Sequence, residues 1–244
     1  MKTGFTPIPL SNEDHSGRLA VPFVAVIGLH RSGSSCVAGV LHNLGVHMGE
    51  MLTGYEPTGG FEAAELMGIC EAAYPFPSTE PALPQTEIAA ALRRYVTKAC
   101  TAAAHRGSRL AGGKYPQLCA MGAALQHACG KQLRVVHIDR PLEESIESLK
   151  ERSRKETGFL AADDAQVERL QRWLWHEKQE LLAQVFHVDV AYADLLAAPR
   201  REIERVASWL EITPSEEAVA KAVAHVRPNR AERSSMPSKC GRRR

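Results

Sequence analysis

The 244-residue sequence lacks the features that mark several whole classes of protein. No apolar run approaches the roughly 20 residues that a membrane-spanning helix needs. The first twenty residues carry charges and have no apolar centre, unlike a signal peptide. Charges of the two signs nearly balance, at a net +2, so the chain lacks the overall basic character of a nucleic-acid-binding protein. These absences predict a cytoplasmic protein with no membrane span and no nucleic-acid partner.

Disulfide and metal-site patterns are also missing. The six cysteines form no CxxC pair and show none of the spacings of a metal site. Reduced and mostly buried thiols are the simplest interpretation, because a chain of this length can bury a core without covalent or metal cross-links. The sequence therefore predicts no bound metal ion.

Short apolar runs alternate with segments of helical periodicity. Strands are expected at residues 21–27, 133–138 and 185–190, with a strand or turn within 108–118. Continuous apolar runs are typical of strands buried on both faces of a parallel sheet, and alternation with helices is typical of a doubly wound fold. We therefore predict an α/β protein with a central parallel sheet.

The chain divides into three predicted segments. Residues 1–20 are polar and are expected to form a flexible arm, residues 21–226 a single domain, and residues 227–244 a basic C-terminal tail. The sequence leaves the oligomeric state open, with a homodimer as one possibility.

The segment from Gly28 to Ser35, Gly-Leu-His-Arg-Ser-Gly-Ser-Ser, joins the first predicted strand to the first predicted helix. A helix start presents unpaired N–H groups and the positive end of the helix dipole, and a glycine-rich turn lets these amides surround an anion. The spacing matches the triphosphate P-loop, G-x-x-x-x-G-K-[ST], except that Ser34 replaces the lysine. That replacement disfavours a triphosphate hydrolase, while Arg31 offers a cation to a terminal phosphate or sulfate. Turns of this composition also occur without a ligand.

The loop and four later segments resemble, in order, the sulfotransferases that use 3′-phosphoadenosine 5′-phosphosulfate (PAPS), in particular the bacterial members of carbohydrate-sulfotransferase type. Gly59-Gly60-Phe61-Glu62 is similar to the family's G-Y-F-E element. Gly113-Lys114-Tyr115-Pro116-Gln117 is similar to its W-K-D-P-R element. Residues 135–149 and 190–200 resemble the family's 3′-phosphate strand and helix and its Y-E-D-L-L-x-x-P stretch. The resemblance spans about residues 22–212.

This resemblance implies a P-loop-type three-layer sandwich, PAPS as the donor, 3′-phosphoadenosine 5′-phosphate (PAP) as the product and no obligatory metal. It implies that the 5′-phosphosulfate is bound by His30, Arg31, Ser32, Gly33, Ser34 and Ser35. The 3′-phosphate would be bound by Arg140 and a serine of the next helix. Ser148 lies at the family's usual interval of eight residues, whereas Ser145 is the alternative because Pro141 directly follows Arg140.

Sulfuryl transfer to an alcohol needs a base, in-line alignment and cations at the developing charge. Arg31 is the candidate at the leaving phosphate and Lys114 the candidate at the sulfuryl or bridging oxygens. Glu62 is the favoured base because relatives place a catalytic carboxylate there, and a partly desolvated carboxylate is a competent base. A solvated glutamate at the start of a helix is the alternative for Glu62, and His30 and His47 are alternative bases.

Two departures from the family pattern keep other functions open. Tyr115 and Gln117 replace the family's acidic and basic residues, and the family's C-terminal Arg-Lys-Gly motif is absent, with Arg227 or Arg230 as substitutes. The predicted function is sulfuryl transfer to a hydroxyl of a carbohydrate or another small hydroxylated acceptor. The alternatives are a P-loop small-molecule kinase and a catalytically inactive nucleotide-binding protein of the same fold.

Overall fold

The computed structural model describes residues 18–50, 52, 60–155 and 161–226. Most of the predicted N-terminal arm and the whole basic tail, with Arg227 and Arg230, lie outside these residues, as does Gly59. The domain boundaries proposed from the sequence therefore stay predictions at both ends.

Four parallel strands form the sheet. They are β1 (Phe23–Ile27), β2 (Ala111–Lys114), β3 (Leu133–Asp139) and β4 (His187–Ala191), in the order β2-β1-β3-β4. Ala25 pairs with Gly113 on one side and with Val135 on the other. Every residue of β1 is buried, as its continuous apolar run predicts for a central strand of a parallel sheet.

Helices connect and cover the strands. They are α1 (Ser34–Asn43), α2 (Ala64–Ala73), α3 (Gln85–His105), α4 (Gly122–Cys129), α5 (Leu142–Lys155), α6 (Asp164–Leu182), α7 (Tyr192–Ala197), α8 (Pro199–Trp209) and α9 (Glu216–Val226). Short 3₁₀ helices span Pro116–Met121 and Gly130–Gln132. In the described part of the chain, no helix is both long and apolar enough to cross a membrane.

Alternate residues of β1 point into two separate apolar cores. Phe23, Ala25 and Ile27 pack with α2, α3, α4 and α6 on one face of the sheet. Val24 and Val26 pack with α1, α8 and α9 on the other face. This alternation follows from the two-residue period of a strand. The predicted three-layer α/β sandwich with a central parallel sheet is confirmed.

The structure differs from the sequence-based elements in three places. The segment predicted as a strand or turn within 108–118 contains the four-residue β2 and then a 3₁₀ helix that begins at Pro116. The helix predicted from residue 119 therefore becomes α-helical only at Gly122. The sequence also gave no prediction of α9, which packs against α1.

Parallel strands end at the same edge of a sheet, and this edge defines the region of the site. Ile27, Lys114 and Asp139 are the last residues of β1, β2 and β3. The glycine-rich loop, the Lys114 segment and Arg140 are consequently brought together although they lie far apart in sequence.

Candidate functional site

The glycine-rich loop is a tight turn that runs from β1 to the first residue of α1. Arg31 and Gly33 both adopt positive φ, at 62° and 96°. A Cβ added at Gly28 would lie 2.3 Å from Ile138 Cγ2, and one added at Gly33 would lie 2.5 Å from the Tyr192 ring. The loop is thus packed closely between β3 and α7, and glycine is required at both positions.

The start of α1 is suited to an anion. Within the described residues, no side chain caps the helix at Gly33 and its first turn holds no acidic residue. The positive end of the helix dipole therefore faces the loop without a compensating carboxylate. This geometry agrees with the anion-binding role predicted for the loop.

The six loop residues predicted to bind the 5′-phosphosulfate differ in accessibility. Arg31 is exposed, while Gly33 and Ser35 are half-buried. His30, Ser32 and Ser34 are buried, and Ser32 Oγ donates a hydrogen bond to the Leu29 carbonyl at 2.8 Å. The Ser32 amide donates to the same carbonyl at 3.3 Å, so both donors of Ser32 stabilise the turn itself.

Lys114, Ser35 and Glu62 meet at the end of β2. Lys114 Nζ donates a hydrogen bond to Ser35 Oγ at 3.0 Å and forms an ion pair with Glu62 Oε1. The side chains of Lys114 and Glu62 are only 2% and 9% exposed. A buried charge is costly unless it is paired, and here the two buried charges are paired with each other. The structure thus brings Lys114 and Glu62, two of the three predicted catalytic residues, to the start of α1.

Glu62 lies in an irregular segment before α2. Phe61 has a positive φ of 53°, and α2 begins at Ala64 with Ala63 as its N-cap. Ala63 also forms an antiparallel bridge with Leu52. Glu62 is therefore outside the helix and buried, which excludes the alternative of a solvated glutamate in the first turn.

Arg140 and Ser148 lie beside Arg31. Arg140 Nη1 donates to the Arg31 carbonyl at 2.7 Å, and its guanidinium lies 5.7 Å from the centre of the Tyr192 ring. Arg140 Nε also forms an ion pair with Glu144 Oε2 at 3.1 Å. Ser148 Oγ accepts a hydrogen bond from Arg31 Nε at 3.4 Å.

The two candidate serines of α5 have different environments. Ser148 is half-buried and contacts Arg31. Ser145 is fully buried, and its Oγ has no hydrogen-bond partner among the residues that the structure describes. Only Ser148 is placed to reach a ligand at the surface without a rearrangement of α5.

The two alternative bases, His30 and His47, lie at different distances from the site and in different environments. Burial, followed by the positive charges of Lys114 and Arg31, lowers the pKa of His30 to about 3, so its imidazole is neutral and a weak base. His30 packs edge-on against Phe76, with ring centres 5.6 Å apart. His47 forms a bridge with Ala111, at the opposite end of β2 from Lys114. Its position does not support a role in the site.

A second carboxylate near the site, Glu71, was not predicted from the sequence. It accepts hydrogen bonds from Tyr115 Oη at 2.5 Å, Gln117 Nε2 at 3.1 Å and the Phe76 amide at 3.2 Å. Burial, and in smaller part the charge of Glu62, raises the pKa of Glu71. Burial also raises the pKa of Tyr115, so the phenol remains a donor.

This network gives the departures at Tyr115 and Gln117 a structural role, because both side chains are buried against Glu71. Its only sequence signal was the unusual residue types at those two positions. Within the described ranges, no group of three or more His, Cys, Asp or Glu side chains is arranged to hold a metal ion.

Comparisons with known proteins agree with this fold. A family model described as "Sulfotransferase family" matches residues 22–216. The sulfotransferase domain of the Synechococcus PCC 7002 olefin synthase is similar in structure, with 20% identity, a TM-score of 0.52, and 83% of this chain and 78% of that chain covered. Sulfotransferase STF9 from Mycobacterium avium is similar at 11% identity and a TM-score of 0.54, covering 86% and 69% of the two chains. No curated protein sequence gives a significant match.

Proposed function

Because the chain belongs to the sulfotransferase family, we propose that it transfers a sulfuryl group from PAPS to a hydroxyl of a carbohydrate or another small hydroxylated acceptor and releases PAP. One observation carries this proposal. A buried lysine, Lys114, contacts both the first turn of the loop helix and a buried carboxylate, Glu62. A cation and a base thus lie together beside an anion-binding loop.

The described residues fit such a donor. The close packing around Gly33 and the uncapped start of α1 form an anion-binding turn, to which Arg31 and Ser35 contribute side chains. Arg140 and Ser148 lie next to Arg31 and are suited to a phosphate dianion, because a guanidinium forms strong charge-assisted hydrogen bonds with phosphate oxygens. We assign the 3′-phosphate to Arg140 and Ser148 rather than to Ser145. PAPS itself supplies the activated sulfuryl group.

Lys114 links donor binding to the base. Its ammonium is shared between Ser35 and Glu62, and a further anion at the loop competes with Glu62 for it. Weakening the ion pair leaves the Glu62 carboxylate able to accept the proton of the acceptor hydroxyl. The acceptor oxygen then forms the new bond to sulfur, and the bond from sulfur to the phosphate oxygen breaks. Arg31 and Lys114 stabilise the charge that develops on that phosphate.

Ligand-dependent stability tests the donor assignment. PAP at about 100 times its Kd is expected to raise the free energy of unfolding by about 2.7 kcal/mol. ATP with Mg²⁺ is expected to have a smaller effect, because Ser34 occupies the position of the P-loop lysine. Equal protection by ATP and none by PAP would contradict the proposal and support the kinase alternative.

Transfer of ³⁵S from labelled PAPS to a panel of carbohydrate, phenolic and aliphatic alcohols tests the reaction. We expect a sulfated product with the wild-type protein and none with Glu62→Gln, whose PAP affinity should be retained. PAP binding without any sulfated product across the panel would favour the inactive nucleotide-binding alternative.

A further inference from the structure

His225 in the last turn of α9 contacts two segments that carry site residues. Its imidazole packs against Gly39 of α1. Its ring also lies edge-on to Phe61, with centres 5.3 Å apart and an interplanar angle of 89°. Ser35 belongs to the first turn of α1, and Phe61 immediately precedes Glu62. One side chain of α9 therefore contacts both the donor loop helix and the segment of the base.

The surroundings of His225 are shaped for an imidazole. A Cβ added at Gly39 of α1 would lie 2.0 Å from His225 Nε2, so the ring rests on a helix face that only glycine leaves open. Burial lowers the pKa of His225, which keeps the ring neutral near pH 7. The His42 ring also contacts Phe61, with centres 5.4 Å apart. Phe61, which has a positive φ of 53°, thus contacts two imidazoles.

Ser35 and Glu62 are both hydrogen-bonding partners of Lys114. We propose that His225 is a positioning residue of the transfer reaction, which fixes α1 against the Phe61–Glu62 segment so that Ser35 and Glu62 converge on Lys114. This inference rests on the proposed function. It assigns α9, which contributes no residue to the predicted donor site, a role in setting the geometry of that site.

The test measures PAP affinity by calorimetry at a temperature well below the Tm of every variant. His225→Ala removes the ring, and Gly39→Ala displaces the ring without changing residue 225. Both are expected to weaken PAP binding about three- to tenfold, the effect of losing one aromatic packing contact. His225→Gln retains a planar side chain of similar length and is expected to recover part of the affinity.

Val219→Ala is the matched control. Val219 is a buried residue of the same helix and packs into the core on that face of the sheet. Its truncation should lower Tm but leave the Kd for PAP unchanged, since a purely structural role of α9 affects folding and not the loop. If His225→Ala fails to fold, the Kd values of Gly39→Ala and His225→Gln for PAP are compared with that of the wild type instead.

Two negative results have different meanings. Wild-type affinity in both His225→Ala and Gly39→Ala, or in the variants that fold, would overturn the positioning role while leaving the donor assignment intact. A wild-type protein that does not bind PAP at all would overturn the proposed function and this inference with it.

Discussion

Lys114 Nζ donates a hydrogen bond to Ser35 Oγ at 3.0 Å, across 79 residues of sequence. The last residue of β2 thereby contacts the first turn of α1. In the triphosphate P-loop the lysine lies within the loop itself, where this chain has Ser34. Here a neighbouring strand brings the cation to the helix start, and the same ammonium also pairs with Glu62. The site therefore depends on the sheet register as well as on the loop sequence.

Removing Lys114 should destabilise the protein because the buried Glu62 carboxylate then loses its ion pair with the Lys114 ammonium. Lys114→Ala is expected to lower the free energy of unfolding by about 3–5 kcal/mol. The double variant Lys114→Met with Glu62→Gln should recover most of that loss but remain inactive in sulfuryl transfer. Urea denaturation and the ³⁵S assay measure the two effects separately.

The matched control is the Lys98–Glu65 ion pair, which has an N–O distance of 2.7 Å and side chains that are 68% and 47% exposed. Lys98→Ala should cost at most about 1 kcal/mol, as is usual for an exposed pair. Similar losses in Lys98→Ala and Lys114→Ala would show that burial does not set the strength of the Lys114–Glu62 pair.

The two serines of α5 should respond differently to substitution. Ser148→Ala is expected to weaken PAP binding about ten- to a hundredfold, through the loss of one hydrogen bond to a charged phosphate. Its affinity for adenosine 5′-phosphosulfate, which lacks the 3′-phosphate, should not change. Ser145→Ala should leave both affinities unchanged, since Ser145 is fully buried. Calorimetric titration with the two ligands provides the measurement, and a selective loss of PAP affinity in Ser145→Ala would reverse the assignment.

Much of this site was predictable from local sequence. The apolar run at 21–27 predicts a strand, and the Gly28–Ser35 turn predicts a loop that leads directly into a helix. Their periodicity and glycine spacing are local properties, and the structure places them as expected. The meeting of Lys114 with Glu62 was predictable only through the family resemblance, because it depends on β2 pairing beside β1.

The rest depends on contacts that no local pattern encodes. Glu71 is defined as a site residue by three partners from segments up to 46 residues away. His225 becomes relevant only when α9 packs on Gly39. The choice between Ser145 and Ser148 was undecided from sequence because Pro141 shifts the motif by one residue, and the rotation of α5 distinguishes their environments.

Gly33 and Gly45 provide a comparison of strain with steric exclusion. Both have positive φ, at 96° and 91°, but only Gly33 lies against another side chain, the Tyr192 ring. An added Cβ at Gly45 meets no described atom within 4 Å. Gly45→Ala is expected to cost about 1–2 kcal/mol of stability from backbone strain and to retain PAP binding. Gly33→Ala should cost more and should weaken PAP binding more than about tenfold.

Chemical denaturation and calorimetry of the two glycine variants give both quantities. Equal PAP affinities in Gly33→Ala and Gly45→Ala would mean that the close packing of the loop against Tyr192 has no part in donor binding.

The buried imidazole of His30 should make the protein sensitive to acid. Its pKa in the folded state is about 3, compared with 6.5 for the unperturbed group. Below about pH 6.5 the unfolded chain binds a proton at this position and the folded protein does not. The free energy of unfolding should therefore fall by up to about 1.4 kcal/mol for each pH unit between roughly pH 6 and pH 4. Above pH 7 the His30 imidazole is neutral in both the folded and the unfolded protein, so it does not make the free energy of unfolding depend on pH.

His30→Gln removes this proton-binding difference and should give a shallower decline between pH 6 and pH 4, measured by urea denaturation at each pH. The slope is the relevant quantity, since a buried glutamine also changes stability at every pH. His105→Gln, at the exposed end of α3, is the control and should keep the wild-type slope. A wild-type slope in His30→Gln would show that His30 is protonated in the folded protein over this range, and a charged imidazole beside Arg31 and Lys114 would then have to be included in the electrostatics of donor binding.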